Sequence, residues 1–283
     1  MSVKTNLESS IQARLLNYSR VNKREYGQVL TKFALERLLY RLSQSKHSEN
    51  FLLKGALLFD LWFDVPLRPT RDIDLLGFGL AELPHVVGVF EDLCRLQVAD
   101  GMDYRTESIQ ADEIRKQANY AGIRVSLLAL LGNSRISIRV DIGYGDAITP
   151  APEEALYPVL LDDLPAPKLR VYPIYTVVAE KFETLVSLGI ANTRMKDYFD
   201  LWVLHQQGKF DNELLRTAIA ETFLRRGKSL PKGVPVGLSD EFSGDVQKQR
   251  QWLVFLKKNQ LAQLDLGELI DGLREWLMPL IVK

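Results

Sequence analysis

The chain has 283 residues, 46% hydrophobic and 25% charged, which fits a globular protein of one large domain or two ordinary ones and argues against disorder. Lys+Arg and Asp+Glu both number 36, so the formal net charge is zero, which speaks against coating nucleic acid by bulk electrostatics but leaves room for a local basic patch. Cys94 is the only cysteine, so an intramolecular disulfide and a Cys-rich zinc site are excluded and a small buried hydrophobe on a helix is expected. The start MSVKTNLESS lacks an apolar signal-peptide core, and no run approaches the roughly 18 apolar residues of a membrane span, so the expected compartment is the cytoplasm, with no membrane partner.

Helical spacing of apolar residues predicts helix over 7–46, with a break near Gly27 and a cap at Thr5-Asn6. Phe51-Leu52-Leu53 reads as a short strand, and Lys54-Gly55-Ala56 turns it into a short apolar helix reaching Trp62. A glycine at such a junction lets backbone or ligand approach closely, and the free amides after it can meet an anion; it can also simply permit a tight turn. Pro66 and Pro69 bring the chain round to Thr70-Arg71, and a second strand follows with Asp72-Ile73-Asp74. Alternation puts both aspartates on one face, and Arg71 on the other unless the strand starts after it, where it either pairs structurally or reaches a phosphate from the rim. Residues 82–98 read as an amphipathic helix, and the polar stretch 103–117 as strand or loop. Gly132-Asn133-Ser134 joins 123–131 to 135–142 as a β-hairpin. In its second strand Ser137, Arg139 and Asp141 share the polar face, where Asp141 is either a solvated or Arg139-paired aspartate or a third carboxylate of a site.

Five prolines between 149 and 168 mark a linker, which divides the chain into 1–150 and a mainly helical 151–283. Helices are predicted over 176–188, stopped by Gly189, then from the Asn192–Trp202 stretch, and over about 211–226, 240–259 and 266–278. Lys181 lies on the first of these; Asp197 and Asp200, three apart, lie on one face of the second. Arg225, Arg226, Lys228, Lys232, Lys248, Arg250, Lys257 and Lys258 are ordinary surface charge or a phosphate-backbone contact. The three histidines are widely spaced, and no Gly-rich phosphate-loop, dinucleotide or nucleophile-elbow motif occurs.

Two carboxylates side by side repel each other unless a divalent cation sits between them. A glycine turn after a strand, Asp-x-Asp on the next strand and a third aspartate on a later one suit two-metal nucleotidyl transfer, in which the ions sit about 3.5–4 Å apart and rigid strands must hold their ligands. Lys54-Gly55-Ala56-Leu57, Thr70-Arg71-Asp72-Ile73-Asp74-Leu75 and Arg194-Met195-Lys196-Asp197-Tyr198-Phe199-Asp200-Leu201 resemble the AbiEii/MenT nucleotidyltransferase toxins of bacterial type IV toxin–antitoxin systems, over roughly 50–205. The resemblance implies an α/β (α+β) fold: a polymerase-β-like nucleotidyltransferase core with a mixed sheet, followed by a helical C-terminal domain. It implies Mg²⁺, two ions in this reading, a nucleoside triphosphate as substrate, the 3′ acceptor end of tRNA or another RNA as acceptor, and a cognate antitoxin. Carried over by residue, Asp72 and Asp74 bind metal and Asp141 completes the carboxylate set by position. Lys181 contacts the triphosphate, Asp197 is the acidic partner in the last motif with Asp200 nearby, Asp72, Asp74, Lys181 and Asp197 are the catalytic set, and Lys54, Gly55, Ala56, Arg71, Lys181 and Asp200 lie on the nucleotide. The family often has Gly-Gly or Gly-Ser at the turn; Gly55-Ala56 lacks the serine hydroxyl and leaves only backbone amides.

Two other readings stand beside this one. The same chemistry can act on a protein or small-molecule hydroxyl, or the fold can survive as an inactive RNA- or partner-binding module. The intact Asp72/Asp74 pair argues against the module, because adjacent carboxylates without a cation only reduce stability. Asp72→Ala or Lys181→Ala is expected to abolish transfer while the protein stays folded.

Overall fold

The structure, a computed structural model, describes residues 3–63, 70–116 and 120–281. The chain forms two compact units, one of Met1–Gly145 with Glu153–Val171 and one of Asp146–Pro152 with Tyr172–Lys283. The first opens with α1 (Val3–Val21) and α2 (Tyr26–Gln44). The break falls before Gly27, where Lys23 takes a left-handed φ of 51° and the Arg24 amide bonds back to the Ser19 carbonyl. Thr5 and Asn6 therefore lie inside α1 and do not cap it.

Next come β1 (Phe51–Lys54), α3 (Phe59–Trp62), β2 (Asp72–Gly77) and α4 (Leu83–Arg95). The expected Pro66/Pro69 turn lies outside the described residues. The remaining strands are β3 (Met102–Lys116), β4 (Tyr120–Leu131), β5 (Ser134–Tyr144), β6 (Glu153–Leu156) and β7 (Lys168–Val171). They make a mixed sheet in the order β3-β4-β5-β2-β1-β7-β6, with β2 parallel to β5, β1 parallel to β7, and the other neighbours antiparallel. Residues 103–116 of the polar stretch are thus strand, paired along β4 with a bulge between Arg105 and Gln110, and 117 lies outside the described residues. The hairpin turns at Gly132, whose φ of 55° at the first turn position suits glycine.

The two faces of this sheet differ sharply. Leu53, Ile73, Leu75, Ile123, Val125, Val140 and Ile142 are all buried on one face, with α2 and α4 packed on the sheet. Because the pleat alternates, Lys54, Asp72, Asp74, Arg124, Arg139 and Asp141 fall on the other face.

The Pro-rich crossing is less of a linker than its composition suggests. Its β6 and β7 extend the sheet, the Leu160 amide donates to Glu36 (2.9 Å), Arg37 donates to the Pro165 carbonyl (2.9 Å), and the Tyr157 hydroxyl donates to Asp60 (2.6 Å). These bonds tie 153–171 to the first unit, so the structural grouping differs from a division at 150 by this segment and by 146–150, which groups with the second unit.

The second unit is built from α5 (Ile174–Leu188), α6 (Met195–Gln207), α7 (Asn212–Arg225), α8 (Asp240–Gly244), α9 (Val246–Lys258) and α10 (Leu266–Leu277). Gly189 ends α5 at a φ of 47°. Asp211, Asp245 and Asp265 cap α7, α9 and α10 through their carboxylates. The cap at Asp245 splits the helix expected over 240–259 into two. Phe182, Leu185, Tyr198, Leu204, Ile219, Phe223, Phe242, Trp252 and Leu273 are buried in this unit. No helix among the described residues is long and apolar enough to cross a membrane.

Candidate active site

Asp72 and Asp74 occupy alternate positions of β2 and share the polar face of the sheet, flanked by buried Ile73 and Leu75 on the other. Across the neighbouring strands, Asp74 is in register with Lys54 on β1 and with Asp141 on β5, and Asp72 with Arg139. One transverse row thus reads Asp112, Arg124, Asp141, Asp74, Lys54 from β3 to β1. Its one like-charge junction is Asp141 beside Asp74.

Gly55 follows β1 with a φ of 74°, and a Cβ there would stand 2.1 Å from Asp74 Oδ2. Only glycine satisfies both the backbone and the space, so the turn and the carboxylate are built around each other. Ala56 continues the short 3-10 turn Gly55–Leu58, and Lys54 just before it is buried. Arg71 precedes β2, which begins at Asp72, so the strand starts after Arg71 and alternation does not assign it a face; its side chain is exposed.

The carboxylates are held very differently. Asp72 keeps 41% of its side chain exposed and meets Arg139 Nη1 only at 3.8 Å. Asp141 is 18% exposed and receives two hydrogen bonds of 2.7 Å, from Arg124 Nε and Nη2. Hydrogen bonding to Asp141, with the charges of Asp141, Asp72 and Asp74 behind it, raises the Arg124 guanidinium above its ordinary value. Arg124, and not Arg139, is therefore the partner of Asp141. Counting outward from the turn finds it: Leu131 pairs with Ser134, Leu130 with Arg135, and seven steps from the first pair Arg124 faces Asp141.

In the second unit, Lys181 on α5 donates to Asp197 Oδ1 (2.8 Å) and to Asp200 Oδ2 (2.7 Å), both on α6. Arg194, just before α6, adds a hydrogen bond to Asp197 Oδ2. Asp197 is 1% exposed and Lys181 13%. Burial by itself would raise the Asp197 carboxyl; the charges of Lys181 and Arg194 outweigh it and hold the carboxyl well below the usual carboxylate range. Lys181 is thus an oriented cation clamped by two carboxylates, in place of a surface lysine.

A second buried cluster was not foreseen. Arg226 binds Glu183 and lies 3.7 Å from both Glu180 and Asp146. Lys248 is buried, with its ammonium on the Asn192 carbonyl (2.9 Å) and 5.5 Å from the Phe242 ring centroid. Two of the eight basic residues singled out by sequence therefore hold the unit together, while Arg225, Lys228, Lys232, Arg250, Lys257 and Lys258 are exposed. Cys94 is buried on α4, which pushes its thiol up to about 12.

The donors around Asp72 and Asp74 suit a hard cation, since they are carboxylate oxygens on adjacent rigid positions. Among the described residues, no three His, Cys, Asp or Glu side chains gather closely enough to hold an ion by themselves.

The fold matches two solved structures from Helicobacter pylori. One is JHP933 (TM-score 0.51, 15% identity, covering 89% of this chain and 91% of that one), and the other a candidate nucleotidyltransferase (TM-score 0.51, 14% identity, covering 90% and 98%). No curated protein matches the chain. The sequence profile of the nucleotidyl transferase AbiEii toxins, of type IV toxin–antitoxin systems, matches residues 37–277, which takes in β1, β2, the hairpin, α5 and α6. The chain accordingly belongs to the AbiEii nucleotidyltransferase toxin family, which makes it a nucleotidyltransferase and implies an antitoxin partner.

Proposed function

We propose that this protein moves a nucleoside monophosphate from a nucleoside triphosphate to an RNA hydroxyl, the 3′ acceptor end of tRNA, and so blocks translation. The observation that carries the reading is Asp72 and Asp74 side by side on an open sheet face with Gly55 shaped around Asp74. The acceptor oxygen bonds to the α-phosphorus, the bond from that phosphorus to the bridging oxygen of the β-phosphate breaks, pyrophosphate leaves, and the hydroxyl proton passes to a base or to water. Mg²⁺, when bound, neutralises the phosphate charge and lowers the barrier to attack. Asp72 and Asp74 hold it, and Asp74 stays in place because Gly55 leaves it room. The amides of Gly55 and Ala56 meet the phosphates, with Lys54 and Arg71 on the same nucleotide. Lys181, aimed by Asp197 and Asp200, is a fixed cation of the helical unit suited to phosphate oxygens. The six exposed basic residues of the helical unit favour an RNA acceptor through its phosphates.

The test incubates the full chain with each radiolabelled triphosphate, Mg²⁺ and total tRNA. Label on tRNA that disappears with EDTA and with Asp72→Asn supports the reading. Label on protein alone moves the acceptor to a protein hydroxyl, and absence of label with every acceptor overturns transfer.

A further inference from the structure

The carboxylate set of the sequence reading gives Asp141 to the metal. The side chains give it to Arg124. Both Asp141 oxygens are engaged at 2.7 Å in a fork-to-fork pair, a short charge-assisted geometry with which a metal would have to share the carboxylate. Asp72 stands in contrast, touched by Arg139 only at 3.8 Å. Arg124 has five N–H donors, and Asp141 takes those of Nε and one of Nη2. The rest belong to a side chain 39% exposed, on the sheet face that carries Asp72 and Asp74.

We infer that Asp141 is a positioning residue that anchors Arg124, and that Arg124, not a third carboxylate–metal bond, binds the phosphates of the nucleoside triphosphate beside the ion held by Asp72 and Asp74. This rests on the nucleotidyl-transfer reading above. A guanidinium fixed by a carboxylate on one edge presents its remaining donors at a set angle, which suits phosphate oxygens better than a lysine would. It also supplies positive charge that needs no ion. Asp141 can then lie next to Asp74 across β5 and β2 with its own charge offset by Arg124.

Two measurements on the full chain test it. Mn²⁺ binding is read by electron paramagnetic resonance, with and without each of the four triphosphates, and the steady-state constants are read with tRNA. Arg124→Gln and Asp141→Asn should each raise KM for the triphosphate by about 10–100-fold, the usual range for a lost anchoring partner, with a smaller fall in kcat and Mn²⁺ affinity of the nucleotide-free protein within about 3-fold. The double variant should be no worse than the worse single one, and Arg124→Lys should recover only part of the loss. Thermal melts identify any variant that fails to fold; Arg124→Lys, which keeps the charge beside Asp141, then carries the test. Two results overturn the inference: Asp141→Asn weakening Mn²⁺ as much as Asp72→Asn does, or an unchanged KM in both single variants. If Asp72→Asn neither loses Mn²⁺ nor loses transfer, it is the nucleotidyl-transfer reading that fails, and the Arg124 result stays separable from it.

Discussion

On the sheet of the first unit, Asp72 is 41% exposed and meets its nearest cation at 3.8 Å; on the helices of the second, Asp197 is 1% exposed and gripped by Lys181 and Arg194. Both regions carry two carboxylates close in sequence. On the strand, Asp72 keeps much of its side chain exposed and has a cation only at 3.8 Å, which leaves it able to take an ion. The helical pair is buried, which requires full compensation by cations from within the chain. The same residue type therefore serves opposite ends, and the difference shows which substitutions should remove function and which should remove stability.

The largest effect separates the two regions. Asp72→Asn should lower transfer by about 10³-fold or more, as expected when a ligand of the catalytic ion is lost, while the melting temperature holds or rises because two like charges are relieved. Asp197→Ala should instead destabilise by about 1–3 kcal/mol, since Lys181 is left with Asp200 alone and the half-exposed Arg194 loses its partner, and chemical denaturation will read it. Lys181→Ala belongs with it: removing the ammonium leaves Asp197 and Asp200 buried without their shared cation. The simple expectation of lost transfer in a fully stable protein is thereby revised, and activity must be measured well below the melting transition. Gly55→Ala combines both kinds of effect more weakly, with a strain of about 1–3 kcal/mol at a left-handed φ and a displaced Asp74, so transfer should fall with a modest drop in melting temperature.

The smallest effect sharpens the contrast through pH. The Asp197 carboxyl is lowered on folding, so its contribution is present above the ordinary carboxylate range and is lost as the pH falls through and below it. Glu36, buried on α2 of the first unit, goes the other way. Burial raises its carboxyl to about 7, against the opposing charge of Arg37, whose Nε lies 3.3 Å away but is not aligned to hydrogen-bond. Its contribution is complete below the ordinary carboxylate value and declines as the pH rises toward 7. Glu36→Gln should flatten that decline, by about 2–4 °C per kcal/mol recovered, in melts from pH 4.5 to 7.5. A slope unchanged by the substitution would mean that Glu36 titrates alike in the folded and unfolded chain.

Much of the fold was legible in the sequence because its periods are local. Alternation along Arg135–Ile142 and the glycine turn before it predict the hairpin, and apolar spacing at 176–188 and 266–278 predicts two helices close to α5 and α10. The polar strand β3 was ambiguous, since its pattern lacks strong alternation and its strand form depends on pairing with β4. The segment 149–168 misled by composition: its prolines signal a linker, but Glu36, Arg37 and Asp60, more than 90 residues earlier, anchor it to the first unit.

By itself the sequence determined that Asp72 and Asp74 share a face, because a strand repeats every two residues, and that a glycine stands where β1 ends. Only the tertiary structure decided which charge meets which. Asp141 was placed on the right face, but its partner comes from β4, and Arg226 and Lys248 looked like surface charge until folding enclosed them. Backbone geometry fixes the direction of a side chain from its neighbours along the chain. Burial and ion pairing depend on segments far apart in it, and those distances are set only when the elements pack.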